Sequence, residues 1–325
     1  MKKVFITRKL PEIARQLLHT GGCEVHVNPN DRPLTAEELR SAAHESDALL
    51  CLLNDKIDAQ LIESAPRCRI YANYAVGYDN MDVPAATAAG VALSNTPDVL
   101  SIATAEMAWA LMFAAARRLG EGERMVRAGA FNGWAPMMLV GHEITGKTLG
   151  IAGAGRIGTA MARMARGFDM RILYTKRSAQ SPAMQKLGAA RVELDQLLQE
   201  SDFVSLHAPL TQETRHMISA QELKLMKPTA VLVNTARGPL IDEAALADAL
   251  ERKQIAAAGL DVYEREPQIE ARLLSLDNVV LAPHLGSSTH EARAAMAELA
   301  ANNILDYFDG RPPRTCINPE YVRRS

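Results

Sequence analysis

The chain has 325 residues, of which 48% are hydrophobic, so it is long enough for two domains of ordinary size with a large buried core. Its 36 basic and 38 acidic residues leave a formal net charge of -2, which gives no indication of a nucleic acid or a membrane surface as a partner. The apolar runs are too short for a membrane-spanning helix or a signal peptide, so we expect a cytoplasmic protein.

The first block of the chain, residues 1–99, alternates short apolar runs with helical patterns. Thr35 and Glu38 have the spacing of a capping box, which predicts the start of a helix. This alternation is typical of a parallel sheet with crossover helices. Strands are predicted at 4–6, 23–27, 48–52 and 69–72, and helices at 11–19, 35–44 and 58–64.

Two polar loops of this block, residues 53–56 and 73–80, come directly after predicted strands. Open α/β sheets bind their ligands at the carboxyl ends of their strands. Gly77 allows a backbone conformation in which N–H groups face an anion. The loops indicate a binding site or, as the alternative that the residues leave open, two ordinary turns.

A long helix rich in alanine and methionine is predicted at residues 101–119, and the residues that follow, 121–145, have a less regular pattern. Trp109 lies on the helix and Trp134 in the irregular segment. An exposed apolar arm of this kind often forms a subunit contact. We therefore expect a homodimer through the arm near residues 100–140; the alternative is a loop packed on its own domain.

The second block is built around a glycine-rich sequence at residues 153–158, which follows a short apolar strand and opens a helix. It has the spacing G-x-G-x-x-G. Gly153 permits a tight turn, Gly155 lets the backbone approach a pyrophosphate, and Gly158 lets the helix pack closely on the strand. The helix N-terminus offers N–H groups and a positive dipole end to the phosphates. The motif predicts a dinucleotide site, and a turn without a ligand is the alternative.

The alternation of predicted strands and helices continues through this second block. Six parallel strands with crossover helices is the strand number of a Rossmann fold. The sequence therefore predicts an α/β protein of two domains, each a parallel sheet flanked by helices. The six strands are predicted at 148–152, 170–174, 202–206, 229–233, 256–260 and 278–281, and a last helix at 289–309.

Three residues late in the chain, Arg237, Glu266 and His284, each follow the carboxyl end of a predicted strand. In a parallel sheet these ends share the rim that carries the cofactor. An arginine can bind a substrate carboxylate, a histidine can transfer a proton, and a nearby glutamate favours the protonated ring and orients it. Each residue alone also fits a structural role, but the three together at one rim favour carbonyl chemistry.

The four cysteines, Cys23, Cys51, Cys68 and Cys316, are scattered through the chain. In a protein of this size they are expected to be free thiols in a reducing compartment. Cys23 and His26 have a C-x-x-H spacing, but no second ligand pair follows, so no metal site is expected.

Several ordered motifs support a resemblance to a known family. They are GAGRIG at 153–158, SLHAPLT at 205–211, MKP at 226–228, NTARG at 234–238, GLDV at 259–262 and PHLG at 283–286. On these motifs the chain resembles the D-isomer-specific 2-hydroxyacid dehydrogenases over nearly its whole length. Within that family it is most similar to the glyoxylate/hydroxypyruvate reductases and the 2-ketogluconate reductases.

The resemblance implies a domain organisation. Residues 1–99 and 288–325 are expected to form a discontinuous, flavodoxin-like substrate domain, and residues 100–287 an inserted Rossmann domain. The last helix would return to the first domain. Members of the family are usually dimers through the arm after the first interdomain helix.

The resemblance also implies catalytic roles. His284 would protonate the carbonyl oxygen as hydride arrives from the nicotinamide. Glu266 would hold the histidine and favour its protonated form, and Arg237 would bind the substrate carboxylate and polarise the carbonyl.

Further residues are expected to bind the cofactor and the substrate. Backbone N–H groups at Val76 and Gly77 would hold the substrate carboxylate, and Asp261 would contact the nicotinamide carboxamide. Leu53 and Trp134 would shape the substrate pocket, together with Arg237 and His284. The expected cofactor residues are Thr104, Gly153, Gly155, Arg156, Ile157, Gly158, Thr175, Lys176, Arg177, Ser178, His207, Ala208, Pro209, Thr235, Ala236, Asp261 and Gly286.

The end of the second Rossmann strand departs from the NAD-using majority of the family. Those members carry an aspartate there, which binds the ribose hydroxyls. Here the strand ends in Thr175, Lys176, Arg177 and Ser178, with two cations and no acid. Because a carboxylate would repel the 2′-phosphate of NADP, its absence beside two cations favours NADP(H), with NAD(H) as the alternative.

The leading interpretation is NADPH-dependent reduction of a short 2-oxo acid: glyoxylate, hydroxypyruvate or 2-ketogluconate. An NAD-dependent D-3-phosphoglycerate dehydrogenase is the nearest alternative, against which stand the missing ribose aspartate and the absence of a regulatory extension. A formate dehydrogenase, from the same superfamily, is a less favoured alternative, because its pocket is specialised for a tiny substrate without a carbonyl. A non-catalytic nucleotide-sensing corepressor of the same fold is disfavoured by the intact Arg237, Glu266 and His284.

Overall fold

The computed structural model describes residues 1–176 and 181–321. The chain divides into two compact units. We call the first, Met1–Leu100 with Ser288–Ser325, the discontinuous unit and the second, Ser101–Ser287, the central unit.

The discontinuous unit contains a parallel sheet of five strands. They are β1 (Lys2–Ile6), β2 (Cys23–Val27), β3 (Ala48–Cys51), β4 (Ile70–Asn73) and β5 (Ala92–Ser94). The spatial order is β2-β1-β3-β4-β5, which is the flavodoxin-like order. Every residue of β3, β4 and β5 is buried, as expected for a parallel sheet whose two faces are covered by helices.

Helices cover both faces of this sheet, and the last of them, α12, packs on α1 and β4. They are α1 (Glu12–Thr20), α2 (Ala36–Glu45), α3 (Ala59–Ser64), α4 (Val83–Ala88) and α12 (His290–Phe308). The predicted capping box at the start of α2 is confirmed. The Glu38 amide donates to Thr35 Oγ1 at 3.2 Å, and the Thr35 amide donates to Glu38 Oε2 at 2.8 Å.

The central unit contains a parallel sheet of seven strands in the order β12-β11-β10-β9-β6-β7-β8. They are β6 (Thr148–Ala152), β7 (Arg171–Thr175), β8 (Ala190–Arg191), β9 (Phe203–Leu206), β10 (Val231–Asn234), β11 (Ala257–Leu260) and β12 (Val279–Leu281). Counted from β6, this is the Rossmann order 3-2-1-4-5-6 with one more strand at the far edge. The direction of winding reverses between β6 and β9, and the carboxyl end of that point is where such sheets bind ligands.

The helices of the central unit lie around this sheet, with α5 packed on β10 and β11. They are α5 (Ser101–Ala116), α6 (Leu119–Arg127), α7 (Arg156–Ala165), α8 (Pro182–Lys186), α9 (Leu194–Glu200), α10 (Ala220–Leu225) and α11 (Glu243–Glu251). Leu111 and Met112 of α5 are buried in the same hydrophobic cluster as Val231 and Val233 of β10. None of the helices in residues 1–176 and 181–321 combines the length and the apolar character that crossing a membrane requires.

The expected α/β fold with two parallel sheets flanked by helices is confirmed, but four local predictions need correction. The strands β5 and β8 were not predicted, because three and two residues are too few to show a period. The helix expected at 101–119 ends at Ala116, where the chain turns through Arg118 at φ 52°. The segment expected to be irregular begins with α6, whose two glycines lower its helix propensity.

Candidate active site

The central unit brings Glu266 and His284 into contact at the carboxyl rim of its sheet. Glu266 follows β11 and His284 follows β12. The distance from His284 Nδ1 to Glu266 Oε2 is 3.0 Å. Arg237 follows β10 in the same rim, and its positive charge acts on Glu266. The arrangement is a cation, a carboxylate and an imidazole on three neighbouring strands.

The Glu266 carboxyl is held in its ionised form by its neighbours. Burial has the largest single influence and raises its pKa. The hydrogen bond and charge of His284, the Tyr263 amide at 3.1 Å and the charge of Arg237 outweigh burial and bring the pKa below its usual range. An ionised Glu266 can both orient the imidazole and stabilise its protonated form.

His284 occupies a strained backbone conformation that Asp261 stabilises. Its φ is 58°, in the left-handed region that costs a non-glycine residue about 1 kcal/mol. The His284 amide donates to the Asp261 carbonyl at 2.9 Å. The next two amides donate to the Asp261 carboxylate, Leu285 to Oδ1 at 2.6 Å and Gly286 to Oδ2 at 2.7 Å. Asp261, for which a nicotinamide contact is predicted, therefore fixes the segment that carries the histidine.

Arg237 is placed by a side chain at the end of its own strand. Asn234 Nδ2 donates to the Arg237 carbonyl at 2.8 Å, and Asn234 Oδ1 accepts from the Ala236 amide at 3.0 Å. Asn234 is completely buried, so these bonds lie in a protected environment. The turn after β10 is thereby set before any ligand binds.

The glycine motif has the geometry that a dinucleotide site needs. Gly153 has φ 108°, and a Cβ there would lie 2.5 Å from the backbone of His207 and Ala208. A Cβ at Gly158 would overlap the carbonyl oxygen of Gly153. At Gly155, by contrast, a Cβ would meet no atom within 4 Å, so the backbone at the start of α7 is open to a ligand. These properties fit a pyrophosphate at the helix N-terminus.

Two buried polar atoms at the same rim have no hydrogen-bond partner among the described residues: His207 Nδ1 and Thr235 Oγ1. The other ring nitrogen of His207 lies 2.8 Å from Ser205 Oγ. Burial lowers the pKa of His207 to about 4, so its ring is neutral near pH 7. Unpartnered buried polar groups are costly, and a bound dinucleotide with its ribose hydroxyls would satisfy them.

Thr104, Arg156, Ile157 and Pro209, four more of the predicted cofactor residues, lie in the same unit. Thr104 of α5 is buried, and its Cγ2 would lie 3.4 Å from a Cβ at Gly286. The Pro209 carbonyl accepts a hydrogen bond from Thr214 Oγ1 at 2.7 Å. Arg156 and Ile157 form the first turn of α7.

At the end of β7 the structure shows part of the predicted cofactor site. The Thr175 carbonyl accepts from the Gly153 amide at 3.1 Å, which joins this strand end to the glycine turn. Arg177 and Ser178 lie outside the described residues. Arg191, on the exposed strand β8, donates to the Lys176 carbonyl at 3.1 Å. The sequence analysis missed Arg191 as a third cation near this strand end, because a two-residue strand carries no sequence signal.

In the discontinuous unit, two loops carry the predicted substrate residues Leu53, Val76 and Gly77. The loop carbonyls accept hydrogen bonds from asparagine side chains: Asn95 Nδ2 donates to Val76 at 2.8 Å, and Asn73 Nδ2 donates to Gly77 at 2.9 Å. No N–H of Val76 or Gly77 donates to another residue within the described chain. The loop of residues 73–80 therefore has backbone N–H groups available to an anion.

A third asparagine joins these two loops. Asn80 Nδ2 donates to the carbonyls of Leu52 at 3.1 Å and Asp55 at 2.9 Å, and Asn80 Oδ1 accepts from Asn73 Nδ2 at 3.2 Å. The loop of residues 73–80 is thus tied to the loop that carries Leu53. Asparagines were visible in both polar loops, but only the fold shows which backbone groups they bind.

Other predicted features lie away from the rim. Trp134 is 81% exposed, so no described part of this chain covers its indole. All four cysteines are free thiols. Among residues 1–176 and 181–321, no three histidine, cysteine or acidic side chains form a group suited to a metal ion.

The chain is similar to known proteins over nearly its whole length. A family model described as D-isomer specific 2-hydroxyacid dehydrogenase, NAD binding domain, matches residues 109–286. A glyoxylate reductase of Thermococcus onnurineus is 51% identical over 324 residues, covering 98% of this chain and 97% of that protein. A glyoxylate reductase of Pyrococcus furiosus is 50% identical over 325 residues, covering 99% of this chain and 96% of that protein.

A solved structure is similar over the same length. The NADPH-dependent glyoxylate/hydroxypyruvate reductase of Sinorhizobium meliloti, crystallised with NADP and malonate, has a TM-score of 0.86 to this chain at 31% identity. The match covers 100% of this chain and 99% of the other. The chain therefore belongs to the D-isomer specific 2-hydroxyacid dehydrogenase family and is an NAD(P)-dependent oxidoreductase.

Proposed function

We propose that this oxidoreductase reduces short 2-oxo acids to D-2-hydroxy acids. Glyoxylate and hydroxypyruvate are the first candidates, and 2-ketogluconate is a larger one. The observation that carries the proposal is the 3.0 Å contact between His284 Nδ1 and Glu266 Oε2 at the rim that holds Arg237 and the glycine motif. The names of the two relatives, both glyoxylate reductases, support the same substrate class.

The residues of the central unit supply the proton and bind the carboxylate. A bound nicotinamide supplies the hydride that reaches the carbonyl carbon. His284 is held through Nδ1, so its Nε2 is the atom that donates the proton to the carbonyl oxygen. Arg237 binds the substrate carboxylate through its planar guanidinium, and its charge polarises the carbonyl. The hydride and the proton together convert the ketone or aldehyde to the alcohol.

Residues of the discontinuous unit are also proposed to bind the substrate carboxylate. The N–H groups of Val76 and Gly77 would face the carboxylate, and Leu53, which is 38% exposed, would line the pocket. In this assignment the discontinuous unit is the substrate domain and the central unit is the nucleotide domain.

The experiment that tests the reaction is a turnover assay with NADPH over a panel of 2-oxo acids, in wild type and in Arg237→Ala. We expect turnover of glyoxylate or hydroxypyruvate and a raised KM for the acid in the variant. Phosphohydroxypyruvate, the substrate of a phosphoglycerate dehydrogenase, serves as the comparison compound. Absence of turnover with every acid would contradict the proposal.

The pH dependence tests the role of the histidine. Reduction needs the protonated His284, so its rate should fall as the pH rises, whereas oxidation of the hydroxy acid needs the neutral ring and should become faster. Rates measured in both directions over pH 5 to 9 decide this. If both directions change in the same sense, His284 is not the proton donor.

NADPH is proposed as the preferred cofactor. Support comes from Thr175 in place of an acid and from the cations Lys176 and Arg191, with Arg177 in the sequence between them. Charge-assisted hydrogen bonds contribute roughly 1.5–3 kcal/mol, so kcat/KM should favour NADPH over NADH by at least about tenfold. In the Arg177→Ala variant NADPH use should weaken while NADH use barely changes.

Two further variants sharpen the test of cofactor choice. Thr175→Asp places a carboxylate near the 2′-phosphate and should lower kcat/KM for NADPH while raising it for NADH. Lys186→Ala, which removes a cation on α8, is the control and should change neither. Equal kcat/KM for the two cofactors in the wild type would overturn the preference.

A homodimer through the arm near residues 100–140 is also proposed. The arm exposes large apolar side chains: Phe131 at 50%, Trp134 at 81% and Met137 at 81%. An exposed apolar surface of this kind is typical of an interface. Light scattering at micromolar concentration should give twice the chain mass, and a monomeric mass would contradict the dimer. The free cysteines support a reducing, cytoplasmic location.

A further inference from the structure

The loop that carries Glu266 is held on both sides of this residue by one carboxylate. Glu243, the first residue of α11, accepts a hydrogen bond from the Glu264 amide on Oε1 at 2.5 Å. Its other oxygen, Oε2, accepts from the Glu270 amide at 3.3 Å. The two bonds enclose the segment 264–270, and Glu266 lies within it.

This carboxylate is buried at a cost to the fold. Glu243 is only 7% exposed. Burial has the largest influence and raises its pKa, the two amides act in the opposite direction, and the charges of Glu264 and Glu270 raise it further. Because the pKa is raised, the ionised form lowers the stability of the folded state as the pH rises through that pKa. A group that costs stability and binds a functional loop with both oxygens is better explained by positioning than by stability.

A second contact joins the same two segments. Gly238, which follows Arg237, lies so close to the loop that a Cβ there would overlap the Tyr263 carbonyl group. The segment from Arg237 to Glu243 therefore contacts the Glu266 loop at two points, one steric and one hydrogen-bonded. Any shift of the loop relative to this segment would also change the position of Glu266 relative to Arg237.

We propose that Glu243 is a positioning residue, which fixes the Glu266 loop and so the orientation of the His284 imidazole. The proposal rests on the proposed catalytic role of Glu266. Glu243 touches no reacting atom in this assignment and acts through the two amides alone. Its effect should appear in kcat and in the pH profile of reduction rather than in KM.

Other charged groups face these residues. Glu264 lies 2.8 Å from His216 Nε2 and 3.7 Å from Arg215. Glu270 pairs with Arg272 at 2.9 Å. Glu266 faces His284, Arg237 and Asp261. Glu243→Gln removes none of these side chains, so a change in the pH profile arises from the position of the loop or from the lost charge of Glu243, and Glu243→Asp, which keeps the charge, separates the two.

The experiment compares Glu243→Gln, Glu266→Gln and the double variant. The amide keeps one acceptor oxygen but turns an NH2 group toward the second backbone N–H. We expect kcat for reduction to fall at least about tenfold, because small misplacements of catalytic groups can cost about 10²-fold, with KM within about twofold of wild type. The falling limb of the reductive pH profile should move to lower pH, as in Glu266→Gln.

The double variant separates positioning from a general structural role. In Glu266→Gln the side chain at position 266 no longer orients the histidine, so the position of its loop matters little. The double variant should therefore lose no more kcat than Glu266→Gln alone. In the protein without cofactor, the Glu264 and Glu270 amides should exchange their hydrogens faster in Glu243→Gln. Glu222→Gln is the matched control: Glu222 also accepts a backbone N–H at a helix start, from Ser219 at 2.9 Å. It should lower thermal stability and leave kcat and the pH profile unchanged.

Three results would each overturn the proposal: kcat of Glu243→Gln within twofold of wild type, a loss with an unchanged pH profile, or additive losses in the double variant. If Glu266→Gln itself left kcat and the pH profile unchanged, the proposed function of Glu266 would fail as well. Should Glu243→Gln not fold, Glu243→Asp, which keeps the charge but is one methylene shorter, is judged by the same criteria.

Discussion

The loop of residues 73–80 in the discontinuous unit and the segments that carry Glu266 and His284 in the central unit are held in opposite ways. In the discontinuous unit, the side-chain amides of Asn73, Asn80 and Asn95 donate to loop carbonyls. In the central unit, the carboxylates of Asp261 and Glu243 accept from loop amides. Where side-chain amides bind the loop carbonyls, the loop N–H groups remain available to an anion. Where carboxylates bind the loop N–H groups, they bring negative charge close to the imidazole. The difference fits the carboxylate-binding loop proposed for one unit and the proton-donating histidine proposed for the other.

One buried carboxylate of the discontinuous unit, Asp55, differs from Asp261 and Glu243 of the central unit. Asp55 of the discontinuous unit uses a single oxygen, Oδ2, which accepts from Thr7 Oγ1 at 2.6 Å and from the Leu52 amide at 2.8 Å. Asp261 and Glu243 use both oxygens, one backbone N–H on each. Asparagine in place of Asp55 can keep both hydrogen bonds, because its single oxygen can accept both. An amide in place of Asp261 or Glu243 loses one bond, because it has only one acceptor oxygen.

The largest effect is expected from removing the proposed proton donor. His284→Ala should lower kcat about 10²–10⁴-fold, the usual loss for a general acid, while NADPH binding stays nearly intact. Binding is measured by the fluorescence of NADPH and kcat by steady-state assay. His19→Ala, an exposed histidine of α1, is the control and should keep wild-type kcat. A wild-type kcat in His284→Ala would exclude the histidine as the donor.

The next effect tests the two-oxygen arrangement. Asp261→Asn must turn an NH2 group toward the Leu285 or the Gly286 amide, so the segment with His284 should shift. Leaving a buried donor without its partner costs about 1–3 kcal/mol, and kcat/KM for reduction should fall about 10–100-fold. A loss smaller than that of Asp55→Asn, measured in parallel, would refute the difference between the two carboxylates.

A smaller effect, of a different kind, is expected in the discontinuous unit. Asn80→Ala releases the carbonyls of Leu52 and Asp55 and loosens the loops proposed to bind the substrate carboxylate. KM for glyoxylate should rise about 5–30-fold, as expected for about 1–2 kcal/mol, and the pH profile of reduction should not move. A shifted pH profile in this variant would break the separation of roles between the two units.

The smallest effect is expected from Asp55→Asn. Burial, the main influence, raises the pKa of Asp55, so its ionised form destabilises the fold as the pH rises through that pKa. The variant keeps both hydrogen bonds and removes the charge. Its free energy of unfolding relative to wild type should therefore increase between pH 4 and pH 7, as measured by urea unfolding. If the stability of Asp55→Asn relative to wild type falls over this range, the negative charge of Asp55, and not only its shape, stabilises the fold.

Much of the fold and part of the site follow from short stretches of sequence. The capping box of Thr35 and Glu38 spans four residues and the glycine motif six, and both work by local sterics and local hydrogen bonds. The alternation of strands and helices predicts that the sheets are parallel, because strands joined by crossover helices run parallel. Since parallel strands end at one rim, the sequence alone was enough to predict that Arg237, Glu266 and His284 share it.

The supports of the site were decided only by the tertiary structure. The bond between Glu243 and Glu264 joins residues 21 positions apart, that between Asp261 and Leu285 spans 24, and that between Asn80 and Leu52 spans 28. Each is a side chain that binds a backbone group, and every residue but proline has the same backbone N–H and C=O. No residue pattern can therefore mark the partner in advance. Only the folding of distant segments against one another selects it, because the bond needs a distance near 3 Å.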